Sequence, residues 1–317
     1  MDFRTGKIVD HLPLVTIGVS SYNYSMYIEA ALDSVLAQTY QHIQMIIIDD
    51  CSTDKCPQII ENWIQKNKLH CTYIKHEQNL GITKTSNEFV KLAKGKYLCL
   101  FATDDIMLPE KIEQQTLGLE AAGGEYGMCY ANVQLMDEAG NDIGIYDKEK
   151  RTIEGDALEA FVFGDLQFAT PSALIRMSVY TQAGLYDERV LYEDYNFWLR
   201  VLALYKIKYC NYPCLIYRIK QQSAIYNSWV ENNKERYYYD RVLSNSQALS
   251  YTRNKKVRMH LQQKISQYLK ALSATDSALF TDLFKYLLKN GYYKLPYRSF
   301  IKRKAEHLFV KKISTNV

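Results

Sequence analysis

Residues 97–105 read Tyr97-Leu98-Cys99-Leu100-Phe101-Ala102-Thr103-Asp104-Asp105, an apolar run that stops at two adjacent carboxylates. A second run, Met45-Ile46-Ile47-Ile48, stops the same way at Asp49-Asp50. Short apolar runs bounded by polar residues predict buried strands. Strands of this kind lie in sheets covered on both faces, where ligands bind outside the carboxyl ends of the strands. Two acidic pairs at two such tips supply oxygen ligands for a divalent cation and acceptors for a polar ligand beside it.

Working outward, residues 14–19 and 71–74 read as two further strands. Amphipathic helices separate the runs. Ile28, Leu32, Val35 and Leu36 share one face, with Ser25 as the expected N-cap. Ile59, Ile60, Trp63 and Ile64 share another after Pro57, and a helix through Phe89, Val90 and Leu92 stops at Gly95. Pro109 opens a helix that runs to Gly123-Gly124. The alternation predicts an α/β fold, a Rossmann-like and mostly parallel central sheet flanked by helices. After about residue 125 it weakens: 128–135 and 172–176 read as strands and 193–204 as a helix. From about residue 230 the chain reads as a helical extension rich in Tyr, Lys and Arg.

The 317 residues suffice for one large domain or a domain with an appendage. The net charge of +4 conceals an asymmetry, since residues 230–317 hold 18 Lys/Arg against 6 Asp/Glu, a net of +12, and the rest carries −8. The seven cysteines have no CxxC spacing, and an odd count cannot pair completely, which favours a reducing compartment. The opening residues lack the apolar core of a signal peptide, and no run approaches the ~20 residues of a membrane span. A cytoplasmic location is expected. No GxGxxG, GxxxxGK[ST] or HExxH pattern occurs, so neither a dinucleotide site, a P-loop nor a zinc hydrolase is supported.

Each candidate residue has a plainer explanation beside it. Ser20-Ser21-Tyr22-Asn23 offers a ring to stack on a base and an amide to hold the loop, or is a simple βα turn. The stretch from Asp49 to Asp54 offers acceptors for a base or a ribose, or caps the next helix through Ser52 or Asp54. Asp104-Asp105 suits a hard cation, or is an acidic turn ahead of Pro109. In Leu191-Tyr192-Glu193-Asp194-Tyr195-Asn196-Phe197-Trp198 a carboxylate can act as general base, or the segment is a capped helix start that buries Phe197.

With these motifs in this order, the chain resembles the family 2 glycosyltransferases, which have the GT-A fold, and among them the non-processive bacterial enzymes of surface-glycan synthesis. The stretches VTIGVSSYNYSMYIEAALDSVLAQTY, IIIDDCSTD, NLGITKTSN, GKYLCLFATDD and GLYDERVLYEDYNFWLRV carry the resemblance, which covers roughly residues 13–220. It implies a nucleotide-sugar donor, usually UDP-linked, a glycan or lipid-linked acceptor, inversion at the anomeric carbon, and Mn²⁺ or Mg²⁺. It further implies a catalytic domain over 1–228, with a donor half at about 13–107 and an acceptor half at about 108–228, ahead of a basic region at 229–317. Residue by residue, Ser21, Tyr22 and Asn23 line the donor site, Tyr22 packs on the base and Asp50 contacts uracil. Asp105 binds the metal, Asp104 lies toward the ribose or sugar, and Asp194 is the catalytic base. One departure stands out. In Tyr217-Arg218-Ile219-Lys220, Lys220 occupies the position of a frequent histidine and can neutralise diphosphate but not ligate a metal. The metal is therefore expected to bind weakly without donor. The Gln-x-x-Arg-Trp signature and the spans of processive synthases are absent, which implies single or few additions.

The basic region lies outside the resemblance. Its Lys and Arg, and a partly amphipathic run over 297–313, suit peripheral docking on the anionic inner face of a membrane, each basic residue adding ~1 kcal/mol. A helical cap or a dimer contact are the alternatives, and no nucleic-acid module is recognisable. The alternative functions are an inactive sugar-nucleotide-binding scaffold and a sugar nucleotidyltransferase, whose Gly-rich basic loop after the first strand is missing here.

Overall fold

The computed structural model of the chain describes residues 12–146, 152–220, 233–274 and 278–290. These fall into two compact units, one within Met1–Glu188 and Leu204–Ile225, the other within Arg189–Ala203 and Tyr226–Val317.

The first unit opens with β1 (Val15–Ser21), α1 (Ile28–Leu36), β2 (Ile43–Asp49), α2 (Cys56–Asn67), β3 (Thr72–Lys75), α3 (Ile82–Leu92) and β4 (Tyr97–Ala102). It continues through β5 (Ile106–Met107), α4 (Lys111–Ala122), β6 (Tyr126–Met136), β7 (Asp142–Ile145), α5 (Leu158–Phe163), β8 (Leu174–Arg176) and α6 (Met177–Ala183). Helix α7 (Glu193–Leu204) follows, and then β9 (Lys206–Arg218) returns to the sheet. The strand order is β3-β2-β1-β4-β8-β6-β9-β5, with β7 on β6. Strands β1 to β4 are mutually parallel, as are β6 and β9, while β5, β7 and β8 pair antiparallel. The expected α/β sheet flanked by helices is thus present, its parallel part concentrated in the first four strands.

The order runs outward from β1 to β3 and then reverses to β4. That reversal is the switch point of a doubly wound sheet, where a crevice opens beyond the strand ends. Helices pack on both faces of β1, β2 and β4, which is why these strands are largely apolar. Ile17, Met45, Ile47, Cys99 and Phe101 face α1, α2 and α4 through Ile28, Leu32, Ile60, Trp63 and Ile112. On the other face Ile46 and Ile48 meet Phe89 of α3. Gly18 makes that approach possible, because a Cβ there would come within 2.7 Å of the Phe89 ring.

Two local expectations need correction. Ser25 does not cap α1; the N-cap is Tyr27, without a side-chain bond, and the Ser25 amide instead donates to Asp54. Strand β9, 13 residues long, was not anticipated. Its register against β6 jumps from Ala131↔Cys210 to Val133↔Leu215, so Pro213 sits in a bulge and breaks the alternation.

The second unit holds residues 189–203 of the α7 segment with α8 (Lys234–Tyr251), α9 (Lys255–Ser273) and α10 (Ala278–Lys289). Residues 193–203 of α7 therefore group with the C-terminal helices rather than with the sheet, although the sequence boundary put them in the acceptor half. Inside this unit α7 is gripped by α8: the Asn196 amide donates to Ser244 Oγ (3.1 Å) and Gln247 Oε1 (2.7 Å), and the Tyr195 hydroxyl donates to Asn245 Oδ1 (3.1 Å). The amphipathic run at 297–313 lies outside the described residues. No described helix is long and apolar enough to cross a membrane.

Replacing Gly18 by Ala pushes Phe89 and α3 off the sheet. The expected loss of stability is about 1–3 kcal/mol, read as a lower urea midpoint at unchanged slope; an unchanged midpoint would show that α3 is not held this way.

Candidate active site

The parallel register sets the site. Ser21 pairs with Asp49 and Ser20 with Ala102, so three strand tips end level at one edge. Beyond them opens a pocket of about 380 Å³ lined by Ser20, Ser21, Tyr22, Tyr24, Asp50, Asn79, Gly81, Ile82, Thr85, Ala102 and Asp104. That volume lies in the range of small-ligand clefts.

The first two tips are stitched together. Asn23 takes a left-handed conformation (φ 57°), which Asn tolerates better than most residues. Its side-chain oxygen accepts from the Thr53 amide (2.8 Å), and its own amide donates to Ser52 Oγ (3.0 Å). Ser52 donates in turn to the buried Asp49 carboxylate through its hydroxyl (2.6 Å) and its amide (2.8 Å). Asn23 and Asp49 thereby hold the loops, and Asn23 is not among the pocket-lining residues. Tyr22 is 43% exposed at the pocket, an available ring face.

Asp50 lines the pocket yet is only 6% exposed. Its Oδ1 accepts from the Leu80 amide (2.8 Å) and its Oδ2 from the Gly81 amide (2.8 Å), fixing the turn that starts α3. His76, at the tip of β3, places Nδ1 2.8 Å from Asp50 Oδ1 and Nε2 3.0 Å from Glu88 Oε2. Burial works against its charge, but hydrogen bonds to Asp50 and Glu88 outweigh it and hold the imidazole pKa above the ordinary value.

The Asp104-Asp105 pair divides. Asp104 lines the pocket and forms an ion pair with Lys220, whose Nζ lies 3.6 Å from the Tyr24 ring centroid. Burial opposes the Lys220 charge, and Asp104 more than restores it, raising its pKa. Asp105 is 2% exposed, with Oδ1 accepting from the Arg218 amide (2.9 Å). Burial, and then the neighbouring Asp104, push its carboxyl well above the usual range. Arg218 also donates to the carbonyls of Asp104 (3.1 Å) and Asp137 (3.2 Å), and its guanidinium lies 4.1 Å from the Tyr27 ring centroid.

Asp194 stands in the first turn of α7, in the second unit, its Oδ1 accepting from the Tyr195 amide (2.6 Å). Burial, and then Asp194, push Glu193 up to about 8. The buried Asp240 of α8 accepts from the Leu191 amide (2.6 Å) and so holds the chain just ahead of this turn.

The structure thus gathers Ser21, Tyr22, Asp50 and Asp104 around one pocket, with Lys220 on Asp104 and Asp105 turned toward β9. Sequence reasoning missed His76, Glu88, Tyr24 and Arg218. The signal for His76 was available: it directly follows β3, at the same sheet edge as the two acidic pairs.

Solved structures share this architecture. One is TarS of S. aureus in complex with UDP-GlcNAc (TM-score 0.65, 16% identity, 90% of this chain and 82% of that one). Another is the mannosyltransferase PcManGT of Pyrobaculum calidifontis in complex with GDP-Man and Mn²⁺ (TM-score 0.55, 17% identity, 93% and 85%). The doubly wound sheet with its strand-tip pocket is the GT-A fold. The sequence pattern of glycosyl transferase family 2 matches residues 16–162. Among curated relatives, the uncharacterised glycosyltransferase MJ1057 of Methanocaldococcus jannaschii is 29% identical over 72% of this chain and 78% of its own length. The putative teichuronic acid biosynthesis glycosyltransferase TuaG of Bacillus subtilis is 28% identical over 73% and 88%. Residues 16–162 thus carry a glycosyl transferase family 2 domain, and the protein is a glycosyltransferase.

The His76 bridge has a pH signature. A histidine with a raised folded pKa stabilises fully below its unfolded pKa of about 6.5, and the benefit is lost as pH rises through the folded value. His76→Ala should lower the melting temperature more at pH 6 than at pH 9. A gap that stays constant or widens with pH would contradict the charged bridge.

Proposed function

We propose that this glycosyltransferase moves a sugar from a nucleotide sugar, UDP-linked, to a hydroxyl of a glycan or lipid-linked acceptor in surface polysaccharide synthesis, with inversion. The observation that carries the donor reading is the strand-tip pocket, where an exposed ring, Tyr22, and two carboxylates, Asp50 and Asp104, surround a space of small-ligand size. Ser21 lies in the same lining, and Asn23 contributes by holding the loop. The names of TuaG and of the TarS complex support the surface-glycan and UDP-sugar parts of the reading.

Asp105 is assigned to Mn²⁺ or Mg²⁺. Its raised pKa reflects a buried carboxylate beside another, a cost that a neighbouring cation removes. Among the described residues no three His, Cys, Asp or Glu side chains converge on a cation site. Mg²⁺ commonly takes one or two carboxylates together with substrate phosphates, so the residues fit a metal held jointly with the donor. When bound, it would offset charge on the leaving diphosphate. Lys220, fixed on Asp104 and Tyr24, brings a permanent positive charge to the same side.

A sugar hydroxyl is a poor nucleophile, and Asp194 accepts its proton as the new bond to the anomeric carbon forms. The placement is cytoplasmic, at the inner membrane face, with the charge of residues 230–317 as the support.

The test is UDP release from a panel of donors with and without Mn²⁺. Asp194→Asn should cut kcat ~10²–10⁴-fold while donor affinity persists; unchanged turnover would reject this base. Mn²⁺ alone should bind the donor-free protein weakly, and tight binding would contradict a shared metal site.

A further inference from the structure

We infer that α8 positions the catalytic base, with Asp240 and Arg241 as the positioning residues that fix the turn carrying Asp194. The inference rests on Asp194 being the base, and it gives a role to a helix outside the residues that match the family pattern.

Asp194 is the second residue of α7. The Tyr192 carbonyl accepts from the Asn196 amide (3.1 Å) and so opens the helix, and Asp194 Oδ1 accepts from the Tyr195 amide (2.6 Å). The direction of the carboxylate is therefore tied to the backbone of residues 192–196. Side chains of α8 hold that backbone at three levels. Ahead of the turn, Arg236 donates to the Arg189 carbonyl, and the buried Asp240 accepts from the Leu191 amide (2.6 Å). At the turn, the Arg241 guanidinium lies 4.8 Å from the Tyr192 ring centroid and 4.0 Å from that of Tyr195, the two rings that flank Glu193 and Asp194. The Tyr237 ring, 5.0 Å away, adds a third side to this cage and packs edge-on against Tyr268 of α9. Behind the turn, Asn245 accepts from the Tyr195 hydroxyl, and Ser244 and Gln247 accept from the Asn196 side chain.

The spacings 236-240-244 and 241-245 put these residues on one face of α8. That face is polar, where a helix packed for stability alone would bury an apolar stripe. Asp240, Ser244, Asn245 and the facing Asn196 are all buried, and Arg236 lies 3.6 Å from Asp240 Oδ1 as a compensating charge. Apolar contacts tolerate sliding and rotation, whereas hydrogen bonds have preferred angles, and a buried network that is satisfied holds one geometry. Such rigidity matters where a group must be aimed. A general base works within hydrogen-bond reach of the proton it takes, about 2.6–3.2 Å, and a misplacement of about 1 Å can slow a reaction ~10²-fold. Aiming Asp194 accounts for a polar interface that packing alone does not require.

The experiment is a double-mutant cycle on the full chain. It is read as UDP release with Mn²⁺ from UDP-glucose, UDP-galactose or their N-acetyl forms, using the one that wild type turns over. Asp240→Ala should lower kcat about 10–100-fold, less than loss of the base itself, with the Kd for UDP changed less than about twofold. Asp240→Asn keeps an oxygen for the Leu191 amide and should recover most of the rate. In the Asp194→Asn background, Asp240→Ala should lower kcat by less than about a further twofold, because no base is left to aim. Losses that multiply in the double variant, or UDP affinity that falls in step with kcat, would mean that Asp240 supports the fold at large, and would overturn the inference. So would full activity in Asp240→Ala. Should that variant not fold, Arg241→Lys, which keeps the charge but not the planar face over the two rings, enters the same cycle under the same criteria. Unchanged turnover in Asp194→Asn would reject the base, and a wild type that releases UDP from none of these sugars would reject the UDP-donor reading; either result would take this inference with it.

Discussion

The parallel pairing of β1 with both β2 and β4 is the constraint on which the site depends. Parallel strands must be joined by crossovers, and these crossovers put α1, α2 and α3 on the two faces and leave the strand tips level at one edge. Most of the pocket lining extends that register: Ser21 ends β1 and Tyr22 follows it, Asp50 follows β2 and Asp104 follows β4, while Asn79, Gly81, Ile82 and Thr85 come from the turn into α3 and its first residues. A one-residue slip would turn Ile17, Ile47 and Phe101 out of their core and scatter the carboxylates with them.

Charge at this edge is handled in pairs. Asp49 is spent on Ser52, Asp50 is shared between two amides and His76, and Asp104 carries Lys220. The exception is Asp105, buried, neighboured by another carboxylate, and relieved by the Arg218 amide and by the more distant Lys220 and Arg218 charges. Buried carboxylates that resist ionisation concentrate at functional positions. Asp50 and Asp104 lie along the pocket proposed to receive the nucleotide, and Asp105 is the position proposed for the cation.

Much of this was legible in the sequence, because unbroken apolar runs ending in acids are produced by a sheet buried on both faces. The four parallel strands and the Glu193–Leu204 helix fall where the apolar pattern put them, to within a residue or two at strand ends. What was not legible depends on residues far apart in the chain. Strand β9 hides behind Pro213, whose bulge only the β6 register reveals. Arg218 acts largely through its backbone amide and a guanidinium on Tyr27, neither of which has a sequence pattern. The split between Asp104 and Asp105 shows only once the end of β9 is in place, where the Arg218 amide holds Asp105 and Lys220 pairs with Asp104. The division of labour between Asp49 and Asp50 likewise needed the Ser52 and Leu80–Gly81 contacts to be seen.

The central claim is that the edge formed by the tips of β1, β2 and β4, with the turn into α3, receives the donor nucleotide. Amide hydrogen exchange of the full chain, with and without UDP and Mn²⁺, addresses it most directly. The account predicts protection concentrated in residues 20–24, 50–54, 79–82 and 102–105. Protection elsewhere, with these four segments unchanged, would contradict it.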